Sequence, residues 1–75
     1  MHTIYNMITI VDIQLRLREA INTSQLSKTE IANKLGVNPS TISRYLHANK
    51  FPSLDTFANL CKILDVSSDE ILGLK

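Results

Sequence analysis

Arg44 stands among short hydroxyl-bearing side chains in the stretch NPSTISRYLHANK, Asn38 to Lys50. Wound as a helix at about 100° per residue with Ile42 turned inward, this stretch brings Pro39, Tyr45 and Leu46 near the inner side. Ser40, Arg44 and His47 then project outward, flanked by Thr41 and Ser43. Exposed helix faces favour Glu, Lys and Gln, which are good helix formers. Here two serines, a threonine, an arginine and a histidine take their place. Short side chains let a helix backbone approach another surface closely. The planar fork of Arg44 suits two parallel hydrogen bonds to a guanine edge or a phosphate.

Other chemistries find little support. Paired carboxylates, a nucleophile beside a base, and a metal cluster at workable spacing are all missing from the sequence, so no enzyme and no cofactor is expected. The single cysteine, Cys61, cannot build a disulfide framework, and His2 and His47 lie far from it. Cys61 reads as a small core residue, and a reducing compartment fits. No apolar run approaches a membrane span, and MHTIYNMITIVD lacks the basic start and cleavage site of a signal peptide, so the expected location is cytoplasmic.

The 75 residues suffice for one small domain with one core, and 44% apolar against 20% charged residues argues for a chain folded throughout. Net charge is only +1, but it is unevenly spread. Arg16, Arg18, Lys28, Lys34, Arg44 and Lys50 outnumber Asp12, Glu19 and Glu30 in residues 1 to 50. After residue 50, Asp55, Asp65, Asp69 and Glu70 outnumber Lys62 and Lys75. A polyanion would prefer the first part.

Positioning that outward face requires neighbours, and their ends are marked by oxygen-bearing side chains with an acid three residues later: Thr9 with Asp12, Ser27 with Glu30, Ser67 with Glu70. A first helix is predicted from about Ile10 to Asn22, with Ile10, Ile13, Leu17, Ala20 and Ile21 facing inward. A second runs from Lys28 to Leu35 with Ile31, Ala32 and Leu35 inward, and Gly36 ends it. Asn38 is driven out of the α region by Pro39, which makes it an N-cap and Pro39 the first residue of a third helix, 39–47. A fourth follows, capped by Ser53, with Leu54, Phe57, Ala58, Cys61 and Leu64 on one face. A fifth spans about Ser68 to Leu72. Five helices and no strand are expected within residues 10 to 75.

Counted from Lys28, the apolar Ile31 and Leu35, the small Ala32, the Gly36-Val37 turn, then Ile42 and Tyr45 resemble a helix-turn-helix at each structural position. Ala32 lets two helices cross closely, Gly36 makes the turn, and Val37 with Ile42 locks the second helix at its angle. With one helix before it and FPSLDTFANLCKILDVSSDEILG after it, the chain resembles the Cro and lambda-type repressor family over roughly residues 10 to 73. NPSTISRYL is also similar to the lac-type headpiece, but that family opens with its motif and continues into a hinge. The family resemblance implies an all-α, five-helix, lambda-repressor-like DNA-binding domain.

The same resemblance implies roles for particular residues. Lys28 would touch phosphate with Ser27 assisting through its amide, and Pro39, Ser40, Thr41 and Arg44 would face base edges. Ser43, His47, Asn49 and Lys50 would hold the DNA backbone, where contacts set orientation rather than sequence. Five positions depart from the family. Pro39 replaces a frequent glutamine and offers only apolar contact, for instance to a thymine methyl. Ala48 and Asp65 stand where glycines are usual. Ile21 and Leu46 replace an arginine and glutamate that pair in some members, which avoids the desolvation of buried charge; the two are expected to touch.

The expected function is that of a sequence-specific transcriptional regulator, a repressor acting as a homodimer on a palindromic site. Val66, Ile71, Leu72 and Leu74 are the candidate dimer surface. Residues 1–9 form an arm that pairs as a strand with, or packs across, a second subunit, extends the first helix or is disordered, and Met7 is a second candidate start. No small-molecule ligand is expected. A phage repressor, a restriction-modification controller and an antitoxin all fit, and the competing class is a protein-binding module, such as an antitoxin or adaptor, on the same scaffold.

Overall fold

The computed structural model describes residues 7–47 and 50–75. Five helices follow one another: α1 Ile10–Thr23, α2 Lys28–Leu35, α3 Pro39–His47, α4 Leu54–Leu64 and α5 Ser68–Leu72. There is no strand among the described residues. The strand-like or dimer-packing roles weighed for the arm fall on residues 1–6, outside the described part, as do Ala48 and Asn49. No described helix is long and apolar enough to cross a membrane.

Two of the three expected capping boxes form. At α1 the Thr9 hydroxyl accepts from the Asp12 amide at 3.3 Å while the Asp12 carboxylate reaches back to the Thr9 amide. At α2 the Ser27 hydroxyl accepts from the Glu30 amide at 3.1 Å and Glu30 Oε1 accepts from the Ser27 amide at 2.9 Å. Each box satisfies orphan amides of a first turn. α1 runs one residue past its predicted end, where the Thr23 hydroxyl donates back to the Glu19 carbonyl at 2.8 Å.

The third box does not form. Ser67 sits at ψ 130°, against 160° and 161° at Thr9 and Ser27, and its side chain makes no cap bond. Ser53 occupies the N-cap position of α4, also without capping it. Its hydroxyl lies 2.7 Å from Asp55 Oδ1 and 2.9 Å from Thr56 Oγ1, side chains that compete with the backbone for it.

The core gathers Leu17 and Ile21 of α1, Ile31 and Ala32 of α2, Ile42, Tyr45 and Leu46 of α3, Phe57, Leu60 and Cys61 of α4, and Ile71 of α5. α2 packs on α3 and α4, and α1 on α3 and α5. Ile21 and Leu46 are both buried in this cluster, as an apolar substitute for an ion pair requires. Cys61 is a buried free thiol, and burial pushes its pKa up, away from reactivity.

Three inward assignments change. Leu54, the first residue of α4, is 81% exposed. Ala58 is exposed too, and Leu60 is buried in its place. The buried face of α4 is therefore Phe57, Leu60 and Cys61, with Leu64 half-buried beside it. Ile10, at the first turn of α1, is likewise exposed.

The ends of α4 and α5 both use the left-handed backbone that fits glycine, and the first of them is the departure at Asp65. Asp65 adopts φ 56°, ψ 47° and closes α4, with the Val66 amide donating to the Cys61 carbonyl at 3.0 Å. Asp is one of the few residues whose short polar side chain tolerates this left-handed region. Gly73 closes α5 at φ 80°, and a Cβ there would lie 2.5 Å from the guanidinium of Arg16. That guanidinium donates from Nε to the Ile71 carbonyl at 2.8 Å, a cation at the carbonyl end of a helix.

Candidate nucleic-acid interface

The outward face of α3 is held by its inward one. Ile42 is fully buried, Tyr45 and Leu46 nearly so, and together they fix the rotation of the helix about its axis. Burial also raises the Tyr45 phenol pKa, so this ring is a neutral core group. Ser40, Ser43, Arg44 and His47 are consequently exposed, as is Pro39 at the start of the helix, while Thr41 is half-buried on the flank. Among the described residues, the side chains of Ser40, Thr41, Ser43, Arg44 and His47 make no hydrogen bond or ion pair. Their donors and acceptors are all available to another molecule.

α2 sets where that face points. Its last turn ends at Gly36, φ 79°, whose amide donates to the Ala32 carbonyl at 2.8 Å, and the Val37 amide donates to the same carbonyl at 3.0 Å. Nothing lies within 4 Å of a Cβ added at Gly36, so the requirement there is conformational rather than one of space. The fully buried Ala32 lets the two helices cross closely. After the turn, the Asn38 carbonyl accepts from the Thr41 amide at 2.9 Å as α3 begins.

At the other end of α2, Lys28 is exposed with no partner among the described residues. Ser27 departs from expectation. Its amide, assigned to phosphate, is already donated to Glu30 within the capping box, and the hydroxyl is used there as well. The same two Ser27 groups, amide first and hydroxyl second, hold the Glu30 carboxyl below its usual range, with Lys34 adding to the effect.

Beyond α3, Lys50 is exposed and its backbone is tied to α1: Gln14 Nε2 donates to the Lys50 carbonyl at 3.2 Å. Gln14 is 7% exposed. Next to this tie the rings of Phe51 and Phe57 meet with centroids 5.4 Å apart, and Pro52 is buried. The segment leaving the outward face is thus anchored on two sides. Sequence reasoning passed over Gln14. Its signal was a polar residue in register with Leu17 and Ile21 on the buried stripe, where only a hydrogen-bonded amide is stable.

The residues expected at a dimer surface separate. Ile71 is 5% exposed and its side chain is committed to the core. Val66 and Leu72 are half-buried against that core, and Leu74 is 66% exposed. No group of three or more His, Cys, Asp or Glu suited to a metal ion occurs among the described residues.

A short helix crossed through a glycine turn by a second helix, whose outer face is open, polar and centred on an arginine, defines a helix-turn-helix protein. The chain belongs to that family: the helix-turn-helix family model matches residues 15–71, and the resemblance to the Cro and lambda-type repressors holds. It is 37% identical over 59 residues to YobD of Bacillus subtilis strain 168, which is named an uncharacterized HTH-type transcriptional regulator. The matched part is 79% of this chain and 53% of YobD, so the chain spans about half the length of that relative. No solved structure matches the chain.

Proposed function

We propose that the chain is a sequence-specific double-stranded DNA-binding transcriptional regulator, a repressor that acts as a homodimer on a palindromic operator. α3 enters the major groove, with Arg44 bidentate on guanine, Ser40 and Thr41 on neighbouring base edges and Pro39 in apolar contact. Lys28, Ser43, His47, Asn49 and Lys50 take phosphates, and Val66, Leu72 and Leu74 meet the second copy. The half-sites then lie one helical turn, roughly 34 Å, apart.

The observation that carries this reading is the unpartnered face of Ser40, Ser43, Arg44 and His47 on a helix whose rotation the core fixes. Short hydroxyl side chains lose helix propensity unless they gain something outside the chain. Selection on random duplex DNA at two salt concentrations tests it. A palindrome should be enriched, more strongly at the lower concentration; a pool that stays random at both overturns the reading and favours a protein-binding module.

A further inference from the structure

Three arginines of this chain meet three fates. Arg16 Nε donates to the Ile71 carbonyl, and Arg44 lies in the open on α3. Arg18 is different from both: its Nε is buried and has no hydrogen-bond partner, although the residue as a whole is only half-buried. A charged donor sealed from water and left unpaired is costly. The far end of the guanidinium is not sealed in the same way and has no ion-pair partner among the described residues.

Its place on α1 points to what the missing partner is. Gln14 and Arg18 are four residues apart, so they project about 40° from one another and are separated by about 6 Å along the axis. Gln14 donates to the Lys50 carbonyl, which puts this flank of α1 against the segment that leaves α3. Lys50 itself is exposed there. Arg18 lies one turn further along α1 from that contact. A phosphate diester suits the outer end of that guanidinium, since it carries the charge that offsets the partly desolvated cation.

We infer that Arg18 is a phosphate contact supplied by α1, part of one backbone clamp with Lys50. This inference rests on the DNA-binding reading above. It also gives Gln14 a positioning role, because the amide keeps the Lys50 segment and Arg18 in a fixed relation.

The test is a titration of the full chain with a mixed-sequence duplex of about two helical turns, over a series of salt concentrations, comparing wild type with Arg18→Gln and Arg18→Lys. Neutralising one phosphate contributes about 0.9 to the slope of log affinity against log salt. Arg18→Gln should lower the slope by about that amount, and Arg18→Lys should restore it. A thermal melt of each variant separates a folding defect, which would shift melting without restoring the slope in the lysine variant. Wild-type binding with an unchanged slope in Arg18→Gln overturns this inference alone. Absence of salt-dependent binding by the wild type overturns the DNA reading and takes this inference with it.

Discussion

The junction of α1 with α5 and the outer face of α3 both carry an arginine near the end of a helix, and they use it in opposite ways. At the junction, Arg16 is satisfied inside the chain by the Ile71 carbonyl and is crowded against Gly73. On α3, Arg44 has no partner among the described residues and is ringed by side chains too short to reach it. One guanidinium has been absorbed into the fold, while the other has been kept from it. Charge and residue type are the same in both places, so only the partner distinguishes a structural arginine from one offered to a ligand.

The largest effect should come from removing what holds the outer face in place. Ile42→Ala deletes a fully buried side chain beneath Arg44 and should cost about 2–5 kcal/mol of stability. Denaturant melts would measure it, and in so small a domain the loss approaches the whole stability. A mild loss would mean that α3 is not oriented by the core.

Next in size is the junction. Arg16→Ala removes a charged donor from a helix-end carbonyl and should cost about 1.5 kcal/mol, with binding to DNA unaltered in the folded fraction. Gly73→Ala should cost about 1–2 kcal/mol through its left-handed backbone, plus the displacement of Arg16. The double variant should therefore lose less than the sum of the singles. Additive losses would show that Arg16 and Gly73 are not coupled, and the contrast between the two arginines would blur.

The smallest effect is one of pH. The Ser27 amide and hydroxyl lower the folded-state pKa of Glu30, so the stabilisation is fully present above the ordinary carboxylate value and disappears as pH falls through the depressed one. Asp55 behaves alike, through the Ser53 hydroxyl first and the Thr56 amide second. Acid melts of Glu30→Gln should show a flatter decline of stability over that window than wild type. Parallel declines would remove the capping box from the account of α2.

These elements differ in how openly the sequence announces them. The boxes at Thr9 and Ser27, the Gly36 turn and the inward Ile42 and Tyr45 are local patterns whose spacing alone fixes the partners, and they read directly. Ser53 and Ser67 carry similar spelling and fail, because a hydroxyl chooses among nearby acceptors and donors that only the folded chain presents. Leu54 looks like core and is exposed, since periodicity gives a direction but not whether anything lies in it. Gln14 showed only its register on the inward stripe of α1, and Arg18 showed nothing. Their meaning comes from Lys50, 36 residues away in sequence for Gln14, and from a buried Nε without a partner among the described residues for Arg18. The polar face of α3 was legible for the opposite reason: it depends on no other part of the chain.

The central claim is that α3 reads bases while its surroundings grip the backbone, and comparing Arg44→Ala with Lys28→Ala on a selected site and on a mixed-sequence duplex tests it most directly. Arg44→Ala should lose about 1–3 kcal/mol on the selected site and relax the preference at one position per half-site, with little change on mixed sequence. Lys28→Ala should weaken both duplexes alike and reduce the salt slope by about one unit. If the two variants give the same pattern on both duplexes, the division of labour between Arg44 and Lys28 is contradicted.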